Sequence, residues 1–391
     1  MDIVLVQPWS LLKEALQLRV KFLLDIAPAL VTVHLQNAIA TSLSRTNRLV
    51  DASDHTVSVN PQEPDDGLDS KANLNFLVER CLILHGGDIG PEPPKQSTKR
   101  ELGKLMFPQD CGYKFEIEDM LRASAEVLGR GSFGTSYKGN LEDGPTIAVK
   151  RLKMANTATT EFEKLTEKIS SIRHENVATL RAYYCDKHER LLVYDYYDRG
   201  SMSSLLHGKE GKVVAPMTWD NRLKMAIGAG RGIVHIHRQE GGKLFHGNLK
   251  PSNILVNSQG YGIVSDVLFP SLMNHVERQP TTKYEAPEVA VNGRSQQSDV
   301  YSFGVLLLEL LVRKFEPAPS NGELRDFVQW GKGVSREVDN GEIFDIPLRD
   351  QPSILKELQE AFHLGILCVQ KLPEERPKMV HVVFLLEEFL H

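Results

Sequence analysis

Polar and apolar positions change rhythm several times along the chain, and each change marks a part of it. Trp9 to Leu24 places Leu12, Leu16, Val20 and Leu23 near helical spacing, which predicts an amphipathic helix. From Thr41 to Asn73 the chain turns polar, with Pro61, Pro64, Asp65, Asp66 and Gly67 clustered among few large apolar side chains, as in a linker. Asn73 to His85 predicts one short ordered element. Gly86 to Arg100 reads as a second linker, carrying Pro91, Pro93, Pro94, Lys95, Lys99 and Arg100.

Order returns near Lys104. Phe115 to Val127 alternates charged with apolar residues, Thr135 to Lys138 and Thr146 to Lys150 read as strands, and Gly139 to Pro145 as the turn between them. A helix is predicted from Thr160, which has Glu163 at capping-box spacing, to about Ser171, with an apolar stripe of Phe162, Leu165, Ile169 and Ile172. The runs RAYYC and RLLVYDYY, between Arg181 and Tyr197, predict two more strands ending in a connector from Asp195 to Gly200. Helical patterns continue from Ser204 through Trp219 to Gln239. Ser298 to Val312 is apolar nearly all round and is followed by Arg313 and Lys314, which suit a helix C-terminus; it predicts a buried central helix. No internal repeat is visible, the leucine-rich type included.

Composition narrows the classes. With 391 residues, 41% hydrophobic and 25% charged, the chain can hold one large two-lobed domain and an extra segment. A formal charge of −5, with lysines and arginines dispersed among acids, argues against nucleic acid as a partner. Cys81, Cys111, Cys185 and Cys368 have neither zinc-ligand nor C-x-x-C spacing, as expected of reduced thiols in a cytosolic setting. Asp2 and the short run Ile3 to Val6 do not make a secretory signal. The best membrane candidate, Ile26 to Leu35, contains Pro28 and His34 and is half the roughly 20 apolar residues a span needs, so no membrane span is expected.

The chemistry is concentrated in two stretches. Leu128, Gly129, Gly131 and Gly134 form G-x-G-x-x-G between two predicted strands, which favours a phosphate-covering hairpin over the strand-to-helix turn of a dinucleotide site. Lys150, closing TIAVK, stands where a V-A-I-K lysine contacts the α- and β-phosphates. In the second stretch, His246-Gly247-Asn248-Leu249 and Asn253 have the spacing of the protein-kinase loop H-R-D-L-x-x-x-N, with Asp266 where a D-F-G aspartate would stand. Asn248 replaces the aspartate that accepts the substrate proton, and an amide has no basic lone pair at neutral pH. Losing a general base costs ~10²–10⁴ in rate, roughly 3–5 kcal/mol of barrier.

Further positions fill out the pattern. Asn253 and Asp266 could hold a metal, Lys250 could steady a transferred phosphoryl, and Ala148, Tyr194 and Leu255 would surround the adenine. Ser136 puts a hydroxyl in what is usually an apolar roof. Leu165 falls where the helix usually carries the glutamate that pairs with the lysine, so Lys150 is expected to lack that partner. Gly247 removes an arginine used in phosphorylation switches, and Val267 and Leu268 stand in for phenylalanine and glycine. Ser271, Thr281, Thr282 and Tyr284 are hydroxyls open to phosphorylation. His246, Asp299 and a Glu288–Arg376 pair are expected to hold the architecture.

The run Phe115 to Gly139, with LRAYY at 180–184, LLVYDYY at 191–197 and HGNLKPSNIL at 246–255, resembles the plant leucine-rich-repeat receptor-like kinases, in particular their inactive branch. The resemblance implies an α+β, bilobal protein-kinase-like fold over 104–391, with an N-lobe at about 115–193, a hinge at 194–200 and a C-lobe at 201–391, preceded by a partly helical segment 1–103. It implies ATP as ligand, Mg²⁺ beside it, and other protein kinases or signalling proteins as partners. Two readings stand: a pseudokinase that binds ATP and acts by docking, or a slow Ser/Thr protein kinase using Lys150, Asn253 and Asp266. Family members are plasma-membrane receptors with an ectodomain and a span. Residues 1–100 show neither, so the expected place is the cytoplasm or the periphery of the plasma membrane, in a truncated or rearranged member.

Overall fold

The computed structural model describes residues 72–73, 105–108, 114–131, 133–142, 144–153, 158–186, 189–208, 216–267, 283–312 and 326–390. The helix expected in Trp9 to Leu24, Leu268, Ser271, Thr281 and Thr282 lie outside them.

The smaller lobe is a six-stranded sheet in the order β1-β2-β3-β4-β6-β5. Its strands are β1 (Ala72–Asn73), β2 (Ser124–Gly131), β3 (Gly134–Asn140), β4 (Thr146–Leu152), β5 (Leu180–Cys185) and β6 (Arg190–Asp195), all paired antiparallel. Side chains alternate across a strand, and β6 shows the consequence. Leu191 and Val193 join Ile147, Val149, Ala182 and Tyr184 in a core on one face, whereas Leu192 and Tyr194 join the large core on the other. The same alternation on β4 turns Ala148 and Lys150 away from the Ile147 and Val149 face.

Two details depart from the sequence pattern. Residues 115–127 do not run straight into a strand: α1 (Ile117–Arg122) forms first, because Glu116 and Asp119 complete a capping box, and Ala123 ends it. The helix between β4 and β5, α2 (Thr159–Ser171), has Ala158 at its N-cap with no side-chain cap bond, so the capping box expected of Thr160 and Glu163 is not made. The helix starts one residue early and leaves Thr160 inside its first turn. Its buried face is Phe162, Thr166 and Ile169, with Leu165 only half-buried. Thr166 is tolerated there because its hydroxyl donates to the Phe162 carbonyl at 2.7 Å.

The larger lobe is helical. It carries α3 (Met202–His207), α4 (Trp219–Arg238), the two-stranded sheet of β7 (Ile254–Val256) and β8 (Gly262–Val264), α5 (Val289–Asn292) and α6 (Gln296–Leu311). After these come α7 (Phe327–Gly333), α8 (Ser335–Asp339), α9 (Ile346–Arg349), α10 (Leu355–Cys368) and α11 (Met379–Glu387). The predicted central helix is α6, with 13 of its 16 residues buried; it begins two residues earlier than its apolar run because Ser295 and Ser298 cap it. Gly228 on α4 lets the β7–β8 ribbon lie against the helix: a Cβ there would sit 2.4 Å from the Gly262 nitrogen. That contact positions the segment leading to Asp266.

Candidate functional site

The glycine-rich stretch is the tip of the β2–β3 hairpin, as the strand spacing predicts. Gly129 opposes Ser136 and Gly131 opposes Gly134, and the register slips between Val127 and Gly129, so Leu128 sits in a bulge, half-buried. Gly129 and Gly131 are exposed. Gly134 has to be glycine, because a Cβ would come within 2.1 Å of the Arg151 carbonyl oxygen at a φ of +157°. The tip folds back on β4, where the Lys153 amide donates to the Phe133 carbonyl at 3.0 Å. Beneath it, Lys150 lies opposite Ser136 on β3 and Leu192 on β6, and Ala148 lies opposite Tyr194.

Lys150 makes an ion pair with Asp266, 116 residues away, and both side chains are largely buried. The lysine expected to lack its helix carboxylate is thus held by the carboxylate expected to hold a metal. Asp266 adopts φ +64°, in the left-handed region that non-glycine residues rarely occupy. Lys250 belongs to the same electrostatic group: burial, and to a smaller degree Lys150, push its ammonium below the ordinary lysine range, against the pull of Asp266. Two cations therefore share one carboxylate.

The loop carrying Asn248 is held from both sides. Asp299, at the start of α6, accepts from the His246 amide at 2.7 Å and the Gly247 amide at 2.8 Å, the architectural role its position suggests. His246 is buried, its Nε2 lies 2.8 Å from the Ser265 carbonyl, and its Nδ1 accepts the Asn248 amide at 3.1 Å. That arrangement requires a neutral ring with the proton on Nε2, and burial accordingly pushes its pKa down. Asn253 donates its Nδ2 to the Asn248 carbonyl at 2.8 Å, leaving its own side-chain oxygen for another partner. Leu255 follows on β7, half-buried, and bridges to Ser201 at the start of α3.

Two polar atoms in this region are buried without a hydrogen-bond partner: Asn248 Nδ2 and the Tyr194 hydroxyl. Burial pushes the Tyr194 hydroxyl well above the ordinary tyrosine range, with the Asp266 charge adding to it. Glu288 and Arg376 pair bidentately at 2.6 and 2.8 Å, as expected. Tyr284, by contrast, is not an open hydroxyl. It donates to Glu309 of α6, a carboxylate that also pairs with Lys283 at 3.2 Å and His207 at 2.8 Å. Sequence reasoning missed Glu309. The available signal was a lone acid inside GVLLLELLV, because a buried carboxylate requires partners. Phe133, which reaches from the hairpin to the same cavity as Asn248 and Lys250, was also missed; nothing in the glycine motif specifies its direction.

Comparison with known proteins agrees with this geometry. The model of the family described as protein tyrosine and serine/threonine kinase matches residues 123–386, and the chain belongs to that family. Within it, its relatives include receptor kinases of Arabidopsis thaliana described as inactive or probably inactive. A probable inactive receptor kinase of Arabidopsis thaliana is 46% identical over 307 residues, covering 77% of this chain and 48% of that protein. The chain spans about half the length of the curated relatives it matches. Among solved structures, the pseudokinase domain of BIR2, an immune regulator of the RLK/Pelle family, superposes with a TM-score of 0.61 at 27% identity, covering 74% of this chain and 90% of that one. The maize SIRK1 kinase domain bound to AMP-PNP gives 0.62 at 31% identity, covering 73% and 99%.

Proposed function

We propose that this chain is a receptor-like pseudokinase that binds ATP and signals by docking to other protein kinases or signalling proteins, with phosphotransfer lost or very weak. One observation carries the reading: the chain has the glycine hairpin and the Lys150–Asp266 pair, which suit a nucleotide, together with a loop in which Asn248 supplies an amide where proton acceptance is needed. In this reading Leu128, Gly129, Gly131, Gly134, Ser136, Ala148, Tyr194 and Leu255 enclose the nucleotide, and Lys150 and Lys250 face its phosphates. The AMP-PNP bound by the maize relative supports the assignment.

A magnesium ion prefers several oxygen donors. Asp266 and the side-chain oxygen of Asn253 are suited to it, because the pairing of Asp266 with Lys150 uses one of its two carboxylate oxygens. Magnesium, when bound, would neutralise phosphate charge. Leu165 in the glutamate position of α2 leaves Lys150 to Asp266, which supports weak or absent turnover. No helix among the described residues is long and apolar enough to cross a membrane. We place the chain in the cytoplasm or at the periphery of the plasma membrane.

The test is ATP titration of the full chain, followed by melting temperature, with magnesium and with EDTA. The wild type should gain stability with ATP, and Lys150→Met should lose that gain. No shift in either buffer, with direct titration also blank, would remove nucleotide binding from the proposal.

A further inference from the structure

Two imidazoles lie face to face where the lobes join. His174, on the loop between α2 and β5, stacks on His235 of α4 with ring centroids 4.7 Å apart and an interplanar angle of 28°. Both side chains are half-buried, within reach of solvent protons. Each ring accepts a hydrogen bond: His174 Nδ1 takes the Asn176 amide at 3.0 Å, and His235 Nε2 takes the Gln239 side-chain amide at 3.1 Å. An amide nitrogen only donates, so both rings are neutral in this arrangement. A proton added to either accepting nitrogen turns it into a donor facing a donor. Protons on both put two cations in stacking contact.

The bond that His174 accepts holds a loop joined to the site. Asn176 is 2% exposed; its side chain donates to the Gly262 carbonyl at 3.0 Å, and its own carbonyl accepts from the Val264 amide at 2.9 Å. The Ala178 amide returns to the Val264 carbonyl at 2.8 Å. Val177 and Val264 form a parallel bridge, so the loop runs as a third strand beside β8, two residues before the Asp266 that pairs with Lys150. Beneath it α4 leaves no slack, since a Cβ on Gly232 would lie 2.4 Å from the Asn176 carbonyl oxygen. Packing this close transmits a displacement instead of absorbing it.

The surroundings favour neutral rings. The charged neighbours on the loop are Arg173 and Glu175, those on α4 and its end are Arg231, Arg238 and Glu240, and β8 has none. Arg231 pairs with Glu387 of α11 at 2.7 Å and Glu240 with Lys168 of α2 at 2.9 Å, which leaves the exposed Glu175, among the described residues, to draw a proton toward the pair. Burial holds both rings below the ordinary histidine range, helped at His174 by His235 and Arg231 and at His235 by Arg238. Each ring takes a proton more readily once the stack is open. The hold is therefore complete above pH ~6.5 and is lost as the pH falls through it.

From the stack, the two hydrogen bonds it accepts and the strand pairing behind it, we propose that His174 and His235 form a pH-sensitive lock between the lobes. Neutral, they keep the loop on α4 and Asp266 in place; protonated, they release the loop, loosen β8 and weaken nucleotide binding. The last step rests on the nucleotide reading above, and the release of the loop does not.

Hydrogen–deuterium exchange of the full chain at pH 7.5 and 5.5, corrected for intrinsic rates, tests the release. Amides of 176–180 and 262–266 should lose protection at pH 5.5 while those of α6 keep theirs. His235→Phe, which keeps a ring in the stack and removes one of the two charges, should retain more of that protection. Fluorescence anisotropy of mant-labelled ATP in EDTA tests the consequence. The wild type should bind about tenfold more weakly at pH 5.5, the change linkage gives for one proton taken up over one pH unit, and the variant about threefold at most. Protonation of the nucleotide and of His246 is common to both proteins and cancels in the comparison. Unchanged loop protection at pH 5.5, or an equal loss of affinity in the folded variant, overturns the inference. Melting curves show whether the variant is folded; if it is not, loop protection in the wild type decides alone. Absence of binding at pH 7.5 removes the nucleotide reading and leaves the exchange result to judge the lock.

Discussion

Arg376→Ala should destabilise the domain by about 3–5 kcal/mol, and the structure shows why the cost is high. The Arg376 side chain has no solvent exposure and Glu288 is 11% exposed, so the pair is almost dry. The guanidinium bonds both Glu288 oxygens and the carbonyls of Gln370, Gln297 and Lys371, and its Cζ lies 5.0 Å from the Tyr301 ring centroid. Alanine would strand a buried carboxylate and three carbonyls. Breaking such a pair from one side costs about 3–5 kcal/mol because the remaining charge is uncompensated. At ~2 °C per kcal/mol for a domain of this size, the melting temperature should fall by roughly 6–10 °C. Arg376→Lys should recover only part of this, because an ammonium cannot make the planar fork. Differential scanning calorimetry reads all three proteins. A loss below ~1 kcal/mol for the alanine variant would refute the claim that this pair holds the architecture of the larger lobe.

Other perturbations test other parts of the account. Gly134→Ala should weaken ATP about tenfold in a melting-shift titration, since its Cβ would collide with the Arg151 carbonyl; unchanged affinity would show that the hairpin tip does not shape the site. Tyr284→Phe removes a hydrogen bond to a buried carboxylate, worth about 1.5–3 kcal/mol, and urea denaturation should show a loss of that order. Burial lowers the His246 pKa below its unfolded value near 6.5, so the unfolded state binds more protons. Stability is therefore complete above pH ~6.5 and falls as the pH drops through it. The urea midpoint should be lower at pH 5.5 than at 7.5, and the difference smaller in His246→Gln.

Much of this was legible in the chain. The β4 strand and the glycine hairpin show a period of two and a turn signal, which local sterics enforce wherever they occur. The nearly all-apolar run of α6 reads as a buried helix. The start of α2 was misplaced because Thr160 and Glu163 carry a capping signature that loses to the chain entering at Ala158. The sequence indicates that Lys150 lacks a helix glutamate. It cannot indicate that Asp266 takes the role, because that pairing spans 116 residues and depends on how β8 lies against α4. The unpaired Asn248 amide was equally invisible: the residue type is readable, but its burial without a partner belongs to the folded loop.

The most direct test of the silent site is transfer of radiolabelled γ-phosphate from Mg-ATP to a generic protein substrate, comparing the wild-type chain with Lys150→Met at nucleotide concentrations that saturate the wild type. The account predicts a wild-type signal no higher than that of the variant, alongside an ATP melting shift that only the wild type shows. Clear incorporation above the Lys150→Met background, persisting in Asn248→Ala, would contradict it.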